Sequence, residues 1–159
     1  MADISATWRS PTGAQCIATG SGGHTVVMDA PNGRSEWAGI KPSELLLAAL
    51  LGCTGVDFTG ILAKQRQIVT AICAEAHGEQ GHDPPWAFRR IDVVFTVHGP
   101  DLDQRAVDRA LTLAVEHYCS VGATLGGTAT ITHRAVIVRP DVATQSGRAE
   151  KLALRVGSD

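Results

Sequence analysis

The reactive chemistry of this chain rests on four cysteines, Cys16, Cys53, Cys73 and Cys119. No two of them form a CxxC pair, so the usual zinc spacing is absent. In a reducing compartment, cysteines that form disulfides tend to be catalytic or redox-sensing. The thiolate is the reactive form, and it needs positive charge or hydrogen bonds to appear near neutral pH. Cys53 sits in the middle of an apolar run, where a thiol is either an inert small hydrophobe or the purpose of the segment. Asp57 follows it by one helical turn, on the same face. A carboxylate there raises a thiol pKa unless a cation lies between the two. Cys119 closes Glu116-His117-Tyr118-Cys119-Ser120-Val121. His117 stands two residues before it, on a different helix face, so a metal site built from this pair has little support. Cys16 and Cys73 fall on alternating strands and read as ordinary core or surface thiols.

These residues need elements to hold them. Lys41 to Gln67 reads as a central helix, with Pro42 suited to its first turn and Ser43 and Glu44 adding favourable N-terminal polarity. Apolar residues then cover nearly every face, which predicts a helix buried on all sides. Gly52, Gly55 and Gly60 weaken it and point to close helix–helix approach. Upstream, Ile4–Arg9, Ala14–Thr19 and His24–Met28 read as three strands of an antiparallel meander. A Gly-, Pro- and Asn-bearing loop, 29–40, leads into the helix. Downstream come strands at Ile68–His77 and Phe88–His98. A second helix follows, capped by Asp101 or Asp103 and carrying Val107, Ala110, Leu111, Ala114 and Val115 at helical spacing. A short helical piece over 121–125 precedes a last strand, Thr128–Val138, with Ala129, Ile131, His133, Ala135 and Ile137 on one face. The order is α+β, not alternating βαβ units. We expect one domain over 1–140 and a tail over 141–159, either a short helix or disordered. A second copy of the chain is the simplest cover for so apolar a helix, so a homodimer is expected.

The 159 residues carry a net charge of −2, which gives no basic field for nucleic acid or a membrane surface. The N-terminus does not resemble a signal peptide. Gly52, Asp57 and Lys64 are expected to interrupt the best candidate membrane span. The reading is a cytoplasmic protein with no cofactor and no metal.

Pro42-x-Glu44-Leu45 followed by Ala48-Ala49-x-x-Gly52-Cys53 resembles the first signature of the OsmC/Ohr family (osmotically inducible and organic-hydroperoxide-resistance proteins). Glu116-x-Tyr118-Cys119-Ser120-Val121 resembles the second, and the form of both is closest to the YhfA-like branch. The resemblance implies antiparallel sheets around two central helices in an intertwined homodimer, with active sites at the subunit interface. It also implies thiol-dependent reduction of organic hydroperoxides, with Cys53 as the peroxidatic thiol, Cys119 as the resolving one, and an external thiol as reductant. Peroxidases of the family add an Arg near the thiolate and a Glu that orients it. Arg34 is the first choice for the Arg and Arg9 the second; Glu44 is the candidate Glu. In those peroxidases the Glu directly follows the Pro, where this chain has Ser43. On a regular helix ten residues separate two side chains by about 80° and nine by about 180°, which turns Glu44 away from Cys53. The alternative is a non-enzymatic redox sensor, or a binding protein for a small hydrophobic ligand, built on the same scaffold.

Overall fold

The computed structural model describes residues 3–8, 14–30 and 38–139. Arg9, Arg34 and the expected tail lie outside them. The chain divides into two compact units, up to Ala49 and from Leu50 onward, and the long helix α1 (Pro42–Lys64) carries the boundary.

The first unit holds an antiparallel meander of β1 (Ile4–Trp8), β2 (Cys16–Gly20) and β3 (Thr25–Met28), in that order across the sheet. Alternation sets which side is covered: Cys16 and Ala18 are buried while every β1 residue is exposed. Asp29 is buried and accepts from the N–H groups of Ala30 at 2.8 Å and Ala38 at 3.1 Å. Ile40 then bridges back to Met28. Gly39 is obligatory here, because a Cβ would stand 2.6 Å from the Val27 carbonyl oxygen.

The second unit holds β4 (Ala71–Gln80), β5 (Phe88–His98) and β6 (Thr130–Val138) in that order, with α2 (Gln104–Leu113), a π-helical turn (Ala114–Tyr118) and α3 (Ser120–Leu125) between β5 and β6. The sequence reading foresaw antiparallel sheets, but β6 runs parallel to β5. The helical segment between them is the long crossover that parallel neighbours require. The strand expected from Ile68 begins instead at Ala71, and Ile68 is 61% exposed. Asp103 caps α2 by accepting from the Arg105 N–H at 3.1 Å.

Ile91, Val93, Phe95 and Val97 line the covered face of β5. Leu50, Thr54, Phe58 and Leu62 recur every four residues along α1 and form its one fully buried stripe. Phe58 meets Phe95 edge-to-face at 5.3 Å. The expectation of a helix buried all round is therefore not met among the described residues of one chain: Val56 is 74% exposed, and a Cβ at Gly52 or Gly60 would meet none of them within 4 Å. The expected interruption of the apolar run by Gly52, Asp57 and Lys64 also fails. Glycine does not break this helix, and α1 has the length and composition to cross a bilayer.

Candidate active site

The π-helical turn is what brings Cys119 into position. The Cys119 N–H bonds the Ala114 carbonyl, five residues back, at 2.9 Å. That wide turn ends the helix, and Cys119 leaves it in extended conformation to become the N-cap of α3. Such π turns cluster at functional sites. The capping atom is the sulfur itself, which accepts from the Gly122 N–H at 3.2 Å. Thr54, one residue beyond Cys53 on α1, donates its hydroxyl to the same sulfur at 3.2 Å. Cys119 is 3% exposed.

Cys53 is half-buried and lies beside the start of α3, with its sulfur 3.9 Å from the Ser120 hydroxyl. Burial pushes its thiol up, but hydrogen bonds outweigh that and bring it below the ordinary cysteine value. The donors are the Val121 N–H, the Cys119 thiol, the Ser120 hydroxyl and the Ser120 N–H. Cys119 goes the opposite way. Burial raises it most, and the neighbouring Cys53 sulfur and its charge raise it further, against the Thr54 and Gly122 donors. The pair is therefore polarised, with Cys53 the more acidic thiol and Cys119 the less acidic one. Both sulfurs are free.

Of the four site residues expected from the sequence, Cys53 and Cys119 come together. Glu44 is engaged at the first turn of α1, where it accepts from the Lys41 N–H at 3.3 Å and lies 3.4 Å from the Lys41 ammonium. That is the return half of a capping box. Arg34 lies outside the described residues. Sequence reasoning missed Thr54, Ser120 and the Val121 and Gly122 amides. Ser120 and Val121 were in view as part of the Cys119 motif, but nothing in their types said that they address Cys53. His117 and Tyr118 are exposed and face each other edge-on. Among the described residues no group of three or more His, Cys, Asp or Glu is placed to hold a metal.

The OsmC-like protein family model matches residues 33–134, which include both cysteine motifs. The chain belongs to the OsmC-like family. Protein YhfA of Escherichia coli K12 is 35% identical over 126 residues, covering 79% of this chain and 92% of YhfA. A hypothetical protein from Aquifex aeolicus has the same fold, with a TM-score of 0.77 at 23% identity over 89% of this chain and 98% of its own. The organic hydroperoxide resistance protein OhrB of Bacillus subtilis superposes with a TM-score of 0.60 at 19% identity, over 86% of this chain and 98% of its own. Helix α1 lies wholly within the matched residues.

Proposed function

We propose that this OsmC-like protein is a cytoplasmic thiol-dependent peroxidase that reduces organic hydroperoxides and is recycled by an external thiol. The observation that carries the reading is geometric: Cys53, with its sulfur 3.9 Å from the Ser120 hydroxyl, stands beside the buried Cys119, whose sulfur caps α3, and the hydrogen bonds around the pair favour Cys53 as the more acidic thiol. A thiolate attacks the O–O bond and becomes a sulfenic acid, and an adjacent thiol converts that to a disulfide before it oxidises further. The name of the Bacillus relative, which shares the fold, supports the substrate class. A homodimer is part of the proposal, supported by the exposed apolar side of α1 at Gly52, Val56 and Gly60.

A titration tests the reaction. One equivalent of cumene hydroperoxide should consume both thiols of the pair, lower the intact mass by two hydrogens and give a Cys53–Cys119 linked peptide. Cys53→Ser should show neither change, and Cys119→Ser should stop at a sulfenic acid trapped by dimedone. A linked peptide joining any other cysteines would defeat the assignment.

A second reading, the binding of a small ligand, is favoured by one feature. A cavity of 510 Å³ lies between α3 and β6, lined by Val115, Glu116, Ala123, Ile131 and His133. Among the described residues, the His133 Nε2 is buried there without a hydrogen-bond partner. Co-purification of a small molecule lost on His133→Leu would support this reading; an empty pocket by native mass spectrometry would oppose it.

A further inference from the structure

The sulfur of Cys119 has more hydrogen-bond donors than a resting thiol needs. Thr54 and the Gly122 N–H converge on it, each at 3.2 Å. A neutral thiol is a weak acceptor, whereas a thiolate is a strong one. Neither donor is there by accident of a mobile surface. Thr54 is fully buried, and a threonine in mid-helix ordinarily turns its hydroxyl to the preceding turn of its own helix. This one reaches across to the Cys119 motif. Gly122 is held close as well, since a Cβ there would stand 3.3 Å from the same sulfur. Of the two thiols, however, Cys53 is the more acidic, and burial holds the proton on Cys119. The two donors await an anion that forms only during turnover.

We infer that Cys119 is the acid of the peroxidatic step as well as the resolving thiol, giving its proton to the departing alkoxide while Thr54 and Gly122 hold the thiolate left behind. This rests on the peroxidase reading above. The Cys53 thiolate attacks the terminal oxygen of the hydroperoxide, the S–O bond forms, and the O–O bond breaks with its electron pair on the alkoxide. The Cys119 proton passes to that alkoxide and yields the alcohol. Cys53 is now a sulfenic acid and Cys119 a thiolate. The thiolate attacks the Cys53 sulfur, the S–S bond forms, and hydroxide leaves. One hydroperoxide is reduced, two sulfurs are oxidised, and each thiol's charge appears only when it is needed. Oxidation of Cys53 also removes its charge, the smaller of the effects that raise Cys119, while burial, the largest, stays and is met by the Thr54 and Gly122 donors. Thr54 acts here as a positioning residue.

The test compares two leaving groups in single-turnover stopped flow on the reduced full chain, at a pH where Cys53 is ionised in every variant. Cumene hydroperoxide expels an alkoxide, which needs a proton. Peracetic acid expels a carboxylate, which does not. Cys119→Ala should lower the ratio of the cumene hydroperoxide to the peracetic acid rate constant for Cys53 oxidation on the order of 10²-fold, the usual scale of general acid catalysis. Thr54→Val should show the same pattern at smaller amplitude, and Thr54→Ser should restore it. The peracid arm reports folding and thiolate content in the same variant. Equal loss with both oxidants would make Cys119 merely structural, and no loss with either would leave it only a resolving thiol; both results overturn the inference while a fast wild type keeps the peroxidase. A wild type no faster than a free thiol with either oxidant would overturn the peroxidase reading itself.

Discussion

Cys53 takes its activation from the residues that follow Cys119, not from a nearby residue on its own helix. Ser120 is the separable part of that donor set. Ser120→Ala should raise the midpoint of Cys53 alkylation, by loss of a hydrogen bond to the sulfur, as followed by iodoacetamide rates against pH. The sign follows from the fold favouring the thiolate. The folded pKa lies below the unfolded one, so the contribution of Cys53 to stability is present above the unfolded pKa and fades as pH falls through the folded value. Cys119 should alkylate only at higher pH than an ordinary thiol, since burial holds its proton on. Both cysteines were legible in the sequence because each sits in a run of residues with a recognisable form. Thr54 and Ser120 were not. Their roles are contacts between segments distant in the chain, and a threonine in mid-helix or a serine before a helix has an ordinary local explanation. Glu44 shows the converse: its position near Pro42 suggested catalysis, and its carboxylate is engaged with Lys41.

At the scale of elements, the strands were legible wherever one face is covered. The alternation of Ile91, Val93, Phe95 and Val97 is the buried face of β5, as the pattern required. The direction of β6 was not legible, because alternation looks the same in parallel and antiparallel neighbours. Nor was the π-helical turn, since the apolar spacing through Ala114 and Val115 continues that of α2. Two substitutions probe these elements. Phe58→Ala removes the ring that meets Phe95 and should cost about 3–5 kcal/mol in urea unfolding. Arg66, just past α1, has φ of 58°, a left-handed conformation that costs a side chain about 1–2 kcal/mol. Arg66→Gly should therefore raise stability by up to about 1 kcal/mol, after allowance for the greater freedom of glycine in the unfolded chain. A lower melting temperature for Arg66→Gly would mean that the arginine side chain has a contact of its own.

At the scale of the whole molecule, the apolar circumference of α1 was the plainest feature of the sequence, and one chain covers only a stripe of it. Val56 is the most exposed large apolar side chain on that helix. In the proposed homodimer, Val56→Asp should shift sedimentation velocity from dimer to monomer at micromolar concentration while the circular dichroism of the monomer stays helical. A wild type that sediments as a monomer would remove the dimer from the account. The sequence pointed to a second copy through the apolar character of the helix, its glycines and the family resemblance, and could not say which face such a copy would cover. That depends on where Leu50, Thr54, Phe58 and Leu62 turn, and those residues share their character with their neighbours.

The central claim is that Cys53 is a peroxide-reducing thiolate, and its rate constant decides it. The measurement is the second-order rate of Cys53 oxidation in the reduced protein by cumene hydroperoxide and by hydrogen peroxide, in stopped flow, with Cys53→Ser as the blank. Oxidation orders of magnitude faster than that of a free cysteine, faster still with the organic substrate, and absent in Cys53→Ser is the expected result. Rates equal to those of a free thiol would contradict it.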